Sequence, residues 1–258
     1  GVHMADLSSL AAGIVSGSVQ VVDLTAPLNS STPVLILPEP WGQTARFQFE
    51  EISNYDERGP WWYWNNFHTG EHTGTHLDAP NHWVSGKDLD DVASIPPQRL
   101  VGPAVVLDFV KEAQADSDFL LDVSHIKAWE AQHGKLPKNG WVLFRTGWSK
   151  FGDKQETFVP ADENGPHTPG LSIAAATYLA TETEILGLGV ETVGTDAGQA
   201  FGFETPFPCH QMLMGNNKYG LTQLRNLDKL PTTGAVVIAA PLKIDKGSGS
   251  PTRVLALV

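Results

Sequence analysis

With 258 residues, 41% of them hydrophobic and 18% charged, the chain has the apolar material for one large domain with a sizeable core. Seventeen Lys and Arg against 29 Asp and Glu leave a net charge of −12, which repels a phosphate backbone or an anionic bilayer and argues against nucleic-acid and membrane partners. The single cysteine, Cys209, excludes an intrachain disulfide and a cysteine-built zinc site and fits a reducing, cytoplasmic setting; no apolar run approaches the roughly 20 residues of a membrane helix, and no secretory leader is legible.

Gly1 to His3 resemble the remnant of an expression tag, which leaves residues 4–258 as a single domain. Leu10, Ile14 and Val15 predict a short amphipathic helix over residues 8–17, followed by a strand over 19–24. Pro33, Pro38 and Pro40 block regular structure across 29–42, where a long ordered loop of the kind that lines sites is expected. A β-branched apolar run predicts a strand over 102–110, and 124–133 reads as a helix with Ser124 as N-cap and Gly134 as its stop. A strand over 141–145, an Ala-rich helix over 172–181 capped by Ser172, and a glycine-punctuated strand over 185–190 follow. The last strands are expected at 235–239 and 253–258. Alternating strands and helices favour an α/β domain, and no internal repeat is visible.

The densest chemistry lies at residues 68–82, where His68, His72, His76, Asp78 and His82 fall in one short run that holds four of the nine histidines. Imidazole and carboxylate suit Zn and Mn, and open catalytic sites commonly use three protein ligands, a set that His72, His76 and Asp78 supply. In an extended strand the Cα atoms of His72 and His76 would stand about 13 Å apart, too far to converge, so either a bend at Gly74 or a helical turn is needed, and a bent strand-to-loop segment is favoured. His76 and Asp78 share a strand face by the period-two rule. Pro80 argues against helix at the end of the run, and the zinc-protease pattern His-Glu-x-x-His is absent. His82, beyond Pro80, is read as a proton acceptor rather than a ligand, and His68 as support among neighbouring aromatic rings.

Just upstream stand Trp61, Trp62, Tyr63, Trp64 and Phe67. A strand sends alternate residues to opposite faces, so this block cannot all face one core, and some of its rings are expected to line a pocket or an interface. A flat aromatic substrate would gain about 0.5–1.5 kcal/mol per stacked ring beyond area burial. Trp62, Trp64, Asn66, Phe67 and His68 are the candidates for holding it.

The string His72-Thr-Gly-Thr-His76-Leu-Asp78-Ala-Pro80-Asn-His82 matches every fixed position of the His-x-Gly-Thr-His-x-Asp-x-Pro-x-His motif of the cyclase-like metal-dependent hydrolases, a family that includes bacterial kynurenine formamidase and isatin hydrolase. Asp23 to Leu28, Arg145 to Trp148, Gly194 to Asp196, Pro206 to His210 and Gly249 to Arg253 also resemble the family pattern, so the likeness covers nearly the whole chain. It implies a swivelling β/α/β-type domain with a central, partly closed, barrel-like sheet flanked by helices. The assembly it implies is a homodimer whose N-terminal segment crosses to the partner.

By position, the resemblance implies that His72, His76 and Asp78 hold a divalent metal with His82 and His210 beside it. Formamidases of this family have a glutamate where Gln223 stands here, and the loss of that charge argues for one metal rather than two, because close divalent ions need anionic ligands. The aromatic string before His72 looks more like the isatin hydrolase branch, which implies manganese first and zinc second. The implied reaction is the opening of a cyclic amide by metal-activated water, with His82 or His210 removing the proton. Competing readings are a formamidase acting on N-formylkynurenine, a thiol enzyme using Cys209, and a non-catalytic, metal-dependent binder of an aromatic ligand. Residues 29–42 and 201–208 are the candidate covering loops.

Overall fold

The structure is a computed structural model that describes residues 4–258, so the tag-like residues 1–3 lie outside the described residues. Its principal elements are α1 (Met4–Ser16), β1 (Val21–Asp23), β2 (Gln48–Asp56), β3 (Gly59–His68), β4 (His76–Asp78), β5 (Val101–Asp108), α2 (Val123–His133), β6 (Trp141–Arg145), α3 (Ile173–Thr181), β7 (Gly187–Val190), β8 (Tyr219–Thr222), β9 (Ala235–Pro241) and β10 (Gly249–Leu257).

Strands pair in the order β10-β9-β5-β6-β7-β8-β4, and β4 pairs again with β10, so seven strands close into a barrel. β5 to β8 run parallel, while β4, β9 and β10 run antiparallel to their neighbours. β1 joins the far end of β10. The α/β fold with a closed sheet and flanking helices is the expected class, with closure complete rather than partial.

The parallel strands are apolar on both faces because both are buried. Ala104, Val106, Trp141, Leu143, Tyr219, Leu221, Val237 and Val254 fill the barrel with Leu77 of β4. β7 contributes only glycines inward. A Cβ on Gly187 would stand 2.8 Å from the Trp141 ring, and one on Gly189 2.7 Å from Leu143 Cδ2, so small residues there make room for large ones opposite. The alternate set, Val105, Leu107, Val142, Phe144, Leu188 and Val190, packs outward on Ile126 and Trp129 of α2 and on Ala175, Ala176 and Leu179 of α3. Each fully buried Leu or Phe of these layers stabilises the fold by about 1.5–3 kcal/mol.

Several predicted boundaries move. Asp122, not Ser124, caps α2: its carboxylate accepts the Val123 N–H at 2.8 Å in a reciprocal box with His125, and it also accepts the Ser172 hydroxyl at 2.7 Å, tying the starts of α2 and α3 together. Val110 opens a short helix rather than ending β5. β10 starts at Gly249, four residues before the predicted strand, because its partners β4 and β9 dictate pairing that the Gly-Ser-Pro composition hides. Pro80 does not exclude helical geometry either. It opens a 3-10 turn, Pro80–His82, at the one position where a missing N–H costs nothing. The loop at 29–42 and the Ser172 cap are found as expected.

No helix among the described residues is long and apolar enough to cross a membrane.

Candidate active site

Leu77 points into the barrel, so its neighbours His76 and Asp78 project from the outer face of β4. Gly74 adopts φ +70°, the bend the histidine spacing requires, and it turns the chain so that His72 returns to Asp78. His72 Nδ1 lies 2.9 Å and His76 Nε2 3.1 Å from the same oxygen, Asp78 Oδ1. His210 Nε2 is 3.7 Å from the other oxygen, Oδ2. The His82 ring stacks on His72 at 3.9 Å and meets His210 edge-on at 5.7 Å. The structure therefore brings together His72, His76, Asp78, His82 and His210, the last from a point 128 positions beyond His82.

Supporting residues orient these rings. His76 Nδ1 lies 2.7 Å from the Gly74 carbonyl, which aims Nε2 at Asp78, and the Thr222 hydroxyl lies 2.9 Å from Nδ1 and 3.2 Å from Nε2. Asp196 accepts a hydrogen bond from His210 Nδ1 at 2.7 Å and the backbone N–H groups of Cys209 and His210 at 2.8 and 3.0 Å. His72 Nε2 contacts the Ser248 hydroxyl at 3.0 Å, and Ser248 in turn bonds Glu71. Register places Gly220 and Gly249 on either side of Asp78. A Cβ at Gly220 would stand 3.1 Å from Asp78 Oδ2, and one at Gly249 2.5 Å from His72 Cε1, so side chains there would crowd the cluster.

Asp78 is 1% exposed, and its ion-pair partners are imidazoles. Burial alone would raise its pKa, but the hydrogen bonds to His72 and His76 outweigh it and hold the carboxyl well below the usual range. Burial, helped by the charge of the other histidines against that of Asp78, pushes His82 down to about 3 and keeps it neutral. His210 moves the other way: burial lowers it, yet the Asp196 hydrogen bond and charge raise it overall. A buried carboxylate ringed by imidazoles and lacking a Lys or Arg partner is the donor chemistry of a divalent cation site. Ligand atoms of His72, Asp78 and His82 all lie within 4.8 Å of one another, and among the described residues this is the one such group. The residues present fit a divalent metal ion.

Cys209 is fully buried, and burial together with the Asp196 charge drives its thiol well above the ordinary range. A fully buried thiol whose neutral form is favoured is poorly suited to act as a nucleophile, which argues against the thiol-enzyme reading.

The hairpin residues go elsewhere. Among the described residues β2 and β3 pair only with each other, and Trp62, Trp64 and Phe67 are exposed on that ribbon. Phe67 stacks on Phe47, Trp62 folds over Gly59, and Asn66 bonds Glu50. None of these contacts involves the histidine cluster. His68 lines a surface cavity of ≈ 540 Å³ with Val34, Ile36 and Arg46. Gln223, buried and at φ +56°, follows Thr222 and lines a separate cavity of ≈ 370 Å³ with Asn29, Thr32 and Arg225.

The ring beside the cluster is instead Trp83, 4.7 Å from His210, with Phe207 edge-on to it at 5.6 Å. Phe207 belongs to the 201–208 loop, one of the two candidate covers. The position of Trp83 directly after His82 was the available signal. For Asp196 it was the Gly194-Thr-Asp196 string and for Glu71 its place in Gly70-Glu-His72, whereas Thr222 and Ser248 carried none, being ordinary polar residues until pairing brings them in.

Fold and site together define a metal-centred α/β-barrel hydrolase. Residues 22–197 match the family described as putative cyclase. Isatin hydrolase of Roseibium aggregatum is 49% identical over 255 residues, covering 98% of this chain and 97% of the relative. A solved isatin hydrolase bound to the product analogue thioisatinate superposes with a TM-score of 0.97 at 48% identity, covering 100% of this chain and 99% of that one. Kynurenine formamidase of Polaromonas naphthalenivorans is more distant, at 28% over 193 residues, 74% of this chain and 73% of the relative. The chain belongs to the putative cyclase family.

Proposed function

We propose that the protein is a metal-dependent hydrolase that opens the lactam ring of isatin to isatinate. The observation that carries this is the convergence of four imidazoles on one buried carboxylate, in a chain 49% identical to an isatin hydrolase along nearly its whole length. His72, His76 and Asp78 hold the ion, with manganese the first choice and zinc the second for a nitrogen and oxygen set without thiolate. A single ion fits the one ligand group found among the described residues, His72, Asp78 and His82, and the uncharged Gln223. When bound, such an ion supplies Lewis acidity and lowers the pKa of water toward neutrality.

The residues of the chain do the rest. His210, with Nδ1 held by Asp196, presents Nε2 to the cluster and accepts the proton of the attacking water. His82, neutral and stacked on His72, stands next to it and assists the proton transfer. Trp83 and Phe207 offer apolar faces to a flat aromatic substrate.

The assembly is a homodimer. Exposed Trp61, Trp64 and Phe67 on the hairpin, and Leu7, Leu10 and Ile14 along one face of α1, are apolar surface that a second copy would cover. The hairpin residues Trp62, Trp64, Asn66, Phe67 and His68 would then meet substrate only across that interface. A reducing cytoplasm suits the one buried, unpaired thiol.

The test is a panel of isatin, N-formylkynurenine and simple lactams, run on protein stripped of metal and reloaded with Mn or Zn, with products identified. Isatinate formed only by reloaded protein is the expected result. Faster turnover of N-formylkynurenine would favour the formamidase reading, and binding without product the non-catalytic one.

A further inference from the structure

The Ser248 hydroxyl donates to Glu71 Oε1 at 2.7 Å, and the Ser248 N–H donates to Glu71 Oε2 at 3.0 Å, so both carboxylate oxygens are engaged by one residue. The same hydroxyl oxygen lies 3.0 Å from His72 Nε2. A serine hydroxyl has one proton, and here it is committed to an acceptor-only carboxylate. His72 must therefore be the donor in the third contact. That leaves Nδ1, 2.9 Å from Asp78 Oδ1, as the nitrogen whose proton a metal ion would replace.

The surrounding backbone is built around this chain of bonds. The Ser248 carbonyl accepts the Ala79 N–H at 2.9 Å, one residue from Asp78. Gly247 and Gly249 flank Ser248, and a Cβ on them would stand 3.1 Å from Glu71 Oε2 and 2.5 Å from His72 Cε1. One three-residue segment thus seats Glu71, His72 and the residue after Asp78.

We infer that Glu71 and Ser248 are positioning residues that hold His72 with its proton on Nε2, so that Nδ1 is the metal-binding atom. The inference rests on the metal-centre reading above. Polar partners of this kind orient a ligand imidazole and raise its basicity, and their loss typically costs 10- to 100-fold in metal affinity.

The sharpest variant is Glu71→Gln. The Ser248 N–H is a fixed donor and takes the one amide oxygen. The amide NH2 then faces the Ser248 hydroxyl, whose proton turns toward His72 Nε2 and reverses the polarity of the chain. The experiment uses protein labelled with 15N-histidine and loaded with zinc, a diamagnetic ion, together with competition between protein and a chelator for zinc and manganese. Wild-type His72 should show a protonated Nε2 and a metal-bound Nδ1. Glu71→Gln should lose the Nε2 proton, and both it and Ser248→Ala should bind metal about 10- to 100-fold more weakly. A wild-type His72 that binds zinc through Nε2 overturns the inference, as does unchanged affinity in both variants. Should either variant fail to fold, the wild-type spectrum alone decides. Failure of the metal-centre reading would show separately, as wild-type protein that retains neither ion.

Discussion

Asp196 holds His210 at three points: Nδ1 at 2.7 Å, the His210 N–H at 3.0 Å, and the N–H of the preceding Cys209 at 2.8 Å. Three donors on one carboxylate fix both the ring and the start of the π-helical turn His210–Met214 that carries it. The result is an imidazole whose tautomer and direction are set before substrate arrives. Replacing Asp196 by Asn keeps the volume but disturbs the tautomer. Turnover of the Asp196→Asn variant is expected to fall by about 10²-fold or more, with metal content unchanged. Steady-state kinetics beside metal analysis checks this, and near-normal turnover would take His210 out of the proton-accepting role.

His82 tests the division between ligand and proton carrier. It lies within ligand reach of His72 and Asp78, yet it is assigned to proton transfer. His82→Ala should lower turnover about 10²-fold while metal content stays nearly intact. Loss of the metal would make His82 a ligand, and full turnover would remove it from the mechanism.

The two glycines flanking Asp78 are predicted to be intolerant of side chains, to different degrees. At Gly249 an added methyl meets the His72 ring at 2.5 Å and the Leu77 carbonyl at 2.7 Å, whereas at Gly220 the nearest atoms are at 3.0 and 3.1 Å. Gly249→Ala should destabilise by about 1–3 kcal/mol and weaken metal binding, with Gly220→Ala the milder of the two. Urea unfolding and metal titration of both variants would reveal the order.

His167 provides a pH dependence remote from the metal cluster. Its Nδ1 lies 2.9 Å from Asp118 and its Nε2 2.9 Å from Asp162, and the hydrogen bonds to Asp162 and then Asp118 raise its pKa above the ordinary 6.5. The stabilisation is therefore fully present below 6.5 and is lost as pH rises through the higher folded value. Asp162 is itself lowered from 3.8, chiefly by the His167 hydrogen bond, so its share persists until pH falls through that reduced value. The gap in urea midpoint between wild type and His167→Gln should thus be wide near pH 5.5 and narrow by pH 9. An equal gap at both would contradict it. The two carboxylates are exposed and His167 only half-buried, so the effect is small.

The cap of α2 gives a direct comparison. Asp122→Ala should cost about 1 kcal/mol in chemical denaturation, while Ser124→Ala, inside the helix, should be close to neutral. The reverse order would return the cap to Ser124.

Local order was legible where side-chain period and backbone chemistry agree. The continuous apolar run of 141–145, the Ser172 cap and the Gly74 bend follow from residues close in sequence. Edges set by distant partners were not legible. The Gly249 start of β10 depends on its pairing with β4, and the Asp122 cap is shared with Ser172, fifty positions away. The aromatic block shows the same limit: its pattern predicted rings that line a pocket or an interface, but only the tertiary structure shows the hairpin carrying them away from the histidines.

For the run at 68–82, the sequence by itself determined the ligand types, their spacing and the need for a bend, because these follow from donor chemistry and chain geometry. Tertiary structure decided which atoms meet. It aimed His76 and Asp78 outward by turning Leu77 into the barrel, brought His210 and its Asp196 to the far carboxylate oxygen, and set Ser248 against His72. Such contacts depend on barrel closure, which pairs β4 with strands more than 140 residues later in the chain, and no local pattern encodes that register.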